Sequence, residues 1–265
     1  MKISIVTAAY NSGATLRDTM ESVLRQTYKD IEYIVVDGGS GDNTMDIVRE
    51  YEPLFEGRMR YVSEPDRGIY DAMNKGIGMA TGDVVGMLNS DDFYTSADVL
   101  AGVAQVMSGT GTDAVYGDVH YVNDGDLGKC VRYYSSRLFS RGWMRFGFMP
   151  AHPSFYCRKW VYERYGTFDL SYRVAADFEN LLRLIFVHRI SICYMPVDFV
   201  TMRTGGASSS GWRSHRQIMR DHLRALKQNG VFSNMLFLTL RYPYKLCEVA
   251  LTKIDNRLSK ANSHA

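Results

Sequence analysis

The sequence predicts an α/β fold: a mostly parallel sheet flanked by helices, with amphipathic helices at the C-terminal end. Three observations carry this. Short apolar runs alternate with amphipathic stretches through the first half, the pattern of parallel strands joined by helices. Hydrophobic residues make up 46% of the 265 and charged residues 23%, a composition that supplies a packed core and argues against disorder. Polar, acidic or glycine-rich segments follow successive apolar runs, the positions where such sheets bind ligands.

The elements follow in order. Ile3-Ser4-Ile5-Val6 reads as a buried strand, and a helix with Leu16, Met20, Val23 and Leu24 on its apolar face comes after it. Ile31–Val36 is a second strand, and Asp42 or Asn43 caps a helix that turns Ile47, Val48 and Tyr51 inward. Arg60–Ser63 gives a third strand, Ile69–Ala80 a helix and Asp83–Leu88 a fourth strand. A helix over Ala97–Met107 precedes a strand at Ala114–Tyr116. From Tyr121 to Ser171 the periodicity blurs into aromatic and basic residues. Beyond it come a helix at Phe178–Val187 and strands at Ser191–Tyr194 and Asp198–Met202. Gly205–Gly211 reads as a hinge, and helices follow at Ser214–Gln228 and from near Pro243.

Four strand ends should open onto one rim: Thr7-Ala8-Ala9-Tyr10-Asn11, Asp37-Gly38-Gly39-Ser40-Gly41-Asp42, Glu64-Pro65-Asp66-Arg67-Gly68 and Asn89-Ser90-Asp91-Asp92. No G-x-G-x-x-G follows the first strand and no G-K-[ST] occurs, which argues against a dinucleotide site and a P-loop. Asp91 and Asp92 offer hard oxygen ligands to Mg²⁺ or Mn²⁺, although Asp also favours caps and turns.

These strings, Ile3–Asn11, Ile34–Thr44, Glu64–Gly82 and Met87–Asp92, resemble family 2 of the inverting nucleotide-sugar glycosyltransferases, closest to its bacterial capsule, O-antigen and exopolysaccharide branch. The resemblance spans roughly the first 100 residues and resumes weakly at Val174–Leu184 and Gly205–Ser208. It implies a Rossmann-like, glycosyltransferase A-type fold over residues 1–210, with a nucleotide-sugar half (1–118), an acceptor half (119–210) and a basic helical extension at 211–265. On that resemblance Thr7, Ala9 and Tyr10 border the nucleobase, and Asp37, followed by Gly38, accepts the base imide, favouring a UDP-sugar. Asp66, Arg67 and Gly68 lie near the ribose and diphosphate, and Asn74 belongs to the same motif. Asn89 and Ser90 approach the ribose, while Asp91 and Asp92 hold the Mn²⁺ or Mg²⁺, with the direct ligand left open between them. Many relatives carry Asp at the position of Asn89, which contributes no charge to the metal.

The resemblance also implies that Asp177, at the start of a helix, is the general base for the acceptor hydroxyl, with N-capping as its other role and Glu179 in reserve. Arg203 and Ser208 fall in a segment that either closes over the donor or is a plain linker. His152 lines the acceptor site or packs in the core. The rival readings are a nucleotidyltransferase, which usually opens with a basic phosphate loop, and a non-catalytic nucleotide-sugar-binding module, which needs no base.

Cys130, Cys157, Cys193 and Cys247 are widely spaced, which predicts reduced thiols in a cytoplasm. The first strand begins at once and no apolar run nears the roughly 20 residues of a spanning helix, so neither a leader nor an anchor is expected. Residues 211–265 hold ten basic and three acidic side chains, against 21 and 26 in residues 1–210. A basic tail suits the inner face of the cytoplasmic membrane or an anionic lipid-linked acceptor, an oligosaccharide being the other acceptor class; an ordinary solvated helix face has the same charge. The acidic rim and the lack of a nucleic-acid motif argue against nucleic acid.

Overall fold

The computed structural model describes residues 1–205 and 211–243, and the side chains of all of these except 211–215. Ser208, the rest of the 206–210 hinge and the tail from 244 lie outside the described residues.

The first half builds as its pattern dictates. β1 (Ile3–Ala9), β2 (Ile31–Asp37) and β3 (Met59–Ser63) pair in parallel, and β1 pairs in parallel with β4 (Val84–Met87) on its other side. Every residue of β1 and β2 is buried, which requires a helical layer on each face. Alternation along β1 separates the layers. Ile3, Ile5 and Ala9 join the core beneath α1 (Leu16–Leu24), α2 (Thr44–Tyr51) and α4 (Val99–Thr110). Val6 and Ala8 join the opposite core, beneath α3 (Ile69–Met79), α5 (Lys159–Tyr165) and α6 (Ala176–Leu181).

The second half completes one sheet of nine strands. Its order is β3-β2-β1-β4-β8-β6-β9-β5, where β5 is Phe93–Tyr94, β6 Ala114–Asn123, β8 Tyr156–Arg158 and β9 Ile192–Arg203, and β7 (Asp126–Tyr134) pairs with β6 alone. Parallel pairing dominates the register; β8, β5 and β7 are antiparallel to their neighbours.

Three departures from the sequence expectation have local causes. The blurred stretch contains the β6–β7 hairpin, short 3₁₀ turns at Arg141–Phe146 and His152–Ser154, β8 and α5, elements too brief to show a period. The two strands expected at 191–202 are one, β9, whose register with β6 shifts where Pro196, which has no N–H, interrupts the ladder. The helix expected from Phe178 starts at Ala176 and continues after Leu181 as π-helical turns through Val187. Beyond the sheet, α7 (Gly211–Gln228) buries Ala225 and Leu226 in the α6-side core, and α8 (Met235–Thr239) buries Leu238 there too.

Candidate active site

The C-terminal ends of β1, β2 and β4 and the start of α3 open into one cavity of about 1260 Å³. Its far wall comes from residues that follow β6 in the chain, including Arg132, His152, Arg173, Asp177 and Arg203. Of the sequence-expected residues it gathers Ala9, Tyr10, Gly38, Asp66, Gly68, Asn89, Ser90, Asp91, Asp92, His152, Asp177 and Arg203.

Five others stand elsewhere, each for a visible reason. Thr7 occupies an odd position of β1, so its hydroxyl points into the core, where it donates to the Leu88 carbonyl (2.7 Å) and accepts from Tyr33 (3.1 Å). Asp37 is fully buried and organises its own loop: it accepts the N–H groups of Gly39 (3.1 Å) and Ser40 (3.0 Å) and the hydroxyls of Ser63 (2.6 Å) and Ser40. Arg67 is exposed and paired with Asp71 at 3.2 Å. Asn74 clips α3 to the loop before α6, donating to the Phe168 carbonyl (2.8 Å) and accepting its N–H (2.9 Å). Glu179 faces away, ion-paired with Arg183 at 3.0 Å.

Asp66 takes the place at the second strand end that Asp37 leaves open. Its Oδ1 accepts the Gly68 N–H at 2.8 Å, and its Oδ2 lies 2.5 Å from where a Cβ on Gly38 would stand. Gly38 therefore leaves this carboxylate its room. Gly68, at φ 113° and ψ 174°, holds a conformation open essentially to glycine alone and starts α3.

The acidic loop after β4 is tightly held. Ser90 meets Ser12 (2.7 Å) through its hydroxyl and accepts from Thr15 (2.8 Å) through its carbonyl. Asn89 Nδ2 donates to Asp92 at 3.0 Å. Burial pushes the Asp92 carboxyl well above the usual carboxylate range, the neighbouring Asp91 charge adds to this, and Asn89 and Arg203 oppose it. Burial raises Asp91 as well, against the attraction of Arg203. Arg203 ends β9 between Asp18 and Asp124 (3.2 Å) and lies over the Phe93 ring at 5.5 Å.

Mn²⁺ and Mg²⁺ fit this loop in one respect: two adjacent carboxylates, both resisting ionisation, are relieved by a divalent cation, and the Asn89 Oδ1 is a buried acceptor without a partner. Among the described residues no three acidic, histidine or cysteine side chains converge, so a cation here would complete its shell with donor oxygens or water.

Asp177 lies in the first turn of α6 and lines the same cavity. Its Oδ1 accepts the Phe178 N–H (2.8 Å) and lies 3.3 Å from the Tyr70 hydroxyl, which also donates to the Val174 carbonyl. Burial pushes this carboxyl up to about 6, against the pull of those hydrogen bonds. His152 is buried, its ring edge-on to Phe168, and burial lowers it to about 4, leaving it neutral at pH 7. Sequence reasoning missed Tyr70, Arg132 and Arg173. Tyr70 and Arg173 lie close in sequence to residues already singled out, Gly68 and Asp177; Arg132 lies on β7, inside the aperiodic stretch.

Residues 4–162, more than half of the chain, match glycosyl transferase family 2. The chain belongs to this family. One relative, the PGL/p-HBAD biosynthesis glycosyltransferase of Mycobacterium tuberculosis, is 31% identical over 208 residues, covering 78% of each chain. An uncharacterized glycosyltransferase of M. tuberculosis is 35% identical over 188 residues, covering 70% of this chain and 69% of its own. Among solved structures, the fold is similar to S. aureus TarS 1–349 in complex with UDP-GlcNAc (TM-score 0.65, 18% identity, 85% of this chain and 66% of that one). It is also similar to the mannosyltransferase PcManGT of Pyrobaculum calidifontis in complex with GDP-Man and Mn²⁺ (TM-score 0.64, 19% identity, 99% and 75%). The chain spans 40% of the longer TarS structure it also matches. The cavity of this family 2 glycosyltransferase thus sits where an α/β sheet of this kind takes its ligand.

Proposed function

We propose that the enzyme transfers a sugar, with inversion, from a nucleoside diphosphate donor to a hydroxyl of a lipid-linked or oligosaccharide acceptor in bacterial surface-polysaccharide assembly. The observation that carries this reading is the shared cavity: an acidic loop suited to a diphosphate-bound cation and a lone carboxylate with raised proton affinity line the same space. A UDP-sugar is the favoured donor, with Asp66 rather than Asp37 accepting the base imide, because Asp37 already serves its loop.

In this reading the acceptor oxygen attacks the anomeric carbon as its proton passes to Asp177, and the bond from that carbon to the diphosphate oxygen breaks. Inversion needs only this one carboxylate, unlike glycoside hydrolysis, where two carboxyl groups share the work. Asp91 and Asp92 would hold Mn²⁺ or Mg²⁺, which supplies charge neutralisation for the departing diphosphate. Tyr70 steadies the Asp177 carboxylate, and His152 presents a neutral ring to the acceptor side. Residues 1–118 bind the donor and 119–210 the acceptor, while 211–265 brings cations to the inner face of the cytoplasmic membrane. The mycobacterial relative's role in PGL/p-HBAD biosynthesis supports a glycan-building role without naming the acceptor.

A thermal-shift screen of UDP- and GDP-sugars with and without Mn²⁺ tests this, because a ligand of the native state raises its apparent stability. Stabilisation that requires the cation is expected. No shift with any nucleoside diphosphate, with or without cation, sinks the reading.

A further inference from the structure

We infer that the chain docks on an anionic lipid bilayer through an aromatic patch made by the Arg141–Phe146 turn and the segment from Val231 through α8. The inference builds on the membrane contact proposed above and moves its centre from the basic tail to this patch. The rings form a connected series: Phe148 and Phe146 lie 5.5 and 5.7 Å from Trp143, Phe237 is 4.9 Å from Phe146, and Phe232 is 6.1 Å from Phe237. Ser233 ties the two segments by donating to the Arg145 carbonyl at 2.6 Å. Around the stack, Phe232 and Leu236 are each 68% exposed, Leu240 51%, Trp143 48% and Met235 44%. Contiguous apolar surface of this kind marks an interaction site.

Charge selects the occupant. The Arg141–Phe146 turn carries Arg141 and Arg145, and neither it nor residues 231–240 contain an Asp or Glu. The exposed Arg145 adjoins the rings and also lies over Phe186 at 5.5 Å. Trp and Phe amid cations, on a chain whose described helices are all unable to cross a membrane, match a surface that lies in the headgroup layer. Two copies meeting through this patch would press like charges together. The chain's own tail from 244 is itself net basic, with four Lys and Arg against two acidic residues, and gains no attraction there. The segment also leads directly to the cavity, since His152 and Pro153 follow Phe148 by a few residues and line it.

Co-sedimentation of the full chain with phosphatidylcholine vesicles, with and without roughly one-third phosphatidylglycerol, tests this at several salt concentrations. Binding is expected to anionic vesicles only and to weaken as salt rises. Phe232→Ser combined with Leu236→Ser should lower partitioning about 30-fold or more, with thermal stability and nucleotide binding unchanged because both side chains are exposed. Brominated lipid should quench wild-type emission and quench Trp143→Phe much less. The inference is overturned by wild type that ignores anionic vesicles, by a double variant that binds as wild type does, or by a lipid-free dimer that the double variant abolishes. Failure of the nucleotide screen with vesicle binding intact would sink the donor assignment and leave this surface standing.

Discussion

Replacing Asp177 by Asn should stabilise the protein while nearly abolishing transfer. Asn keeps an oxygen for the Phe178 N–H and the Tyr70 hydroxyl, so both observed contacts survive and only the charge is lost. Burial raises the carboxyl from the ordinary value of about 3.9 to about 6, roughly a hundredfold in proton affinity and about 3 kcal/mol. The carboxylate lines an open cavity, and solvent screening there reduces this to about 1.5 kcal/mol. The folded chain holds this proton more tightly than the unfolded chain. Wild-type stability from this group is therefore full below about pH 4 and is lost as pH rises through about 6. The variant has no such slope, so its advantage grows between about pH 4 and 6, is complete above 6 and closes below 4. At pH 8 it should melt about 3–6 °C higher by calorimetry. Its turnover should fall about 100-fold or more, the usual contribution of a general base, with nucleotide affinity retained. Wild-type kcat/KM should fall tenfold per pH unit below about 6. Glu179→Gln, by contrast, disturbs an ion pair with Arg183 and a hydrogen bond from Asn229, both outside the cavity, and should do much less harm to transfer. An Asp177→Asn enzyme that turns over normally, or one that melts lower at pH 8, refutes the reasoning.

Asp91→Asn and Asp92→Asn should each weaken Mn²⁺-dependent binding of a nucleoside diphosphate at least about tenfold by titration calorimetry; wild-type affinity in both would remove the cation from this loop. Gly38→Ala places a methyl against Asp66 Oδ2, so donor binding should weaken about tenfold with the melting temperature held within about 2 °C. Asn74→Ala strands the N–H and carbonyl of Phe168, which should cost about 1–3 kcal/mol in urea unfolding and lower turnover more than donor affinity.

The parallel half of the fold was legible because it is written in long buried strands: β1 and β2 declare themselves by runs dominated by Ile and Val, with Ser4, Thr7 and Glu32 as the polar interruptions, and each rim loop follows directly from its strand end. Motif and helix start singled out the acidic loop and Asp177, and the fold brings both to the lining of one cavity. What could not be read is direction. Thr7 and Asp37 stand in rim motifs, yet an odd register on β1 and four local donors turn them inward, and neither effect has a signature in residue type. Arg132 and the hairpin that carries it were hidden because β7 is mostly solvent-facing and shows no apolar alternation. Pro196 split β9 into two apparent strands because a register shift and a chain break look alike in sequence.

The position of β5 at the end of the sheet has a consequence for biosynthesis. Its two residues directly follow Asp91 and Asp92, and they pair only with β9, Phe93 opposite Thr201, more than a hundred residues later. A growing chain can therefore assemble β1 through β4 early, from local βαβ contacts, but the acidic loop acquires its last wall, and Arg203 beside it, only when β9 emerges. Closing so long a loop is slow relative to the local steps. Cation affinity should accordingly appear last on refolding, a delayed phase behind the recovery of helical signal.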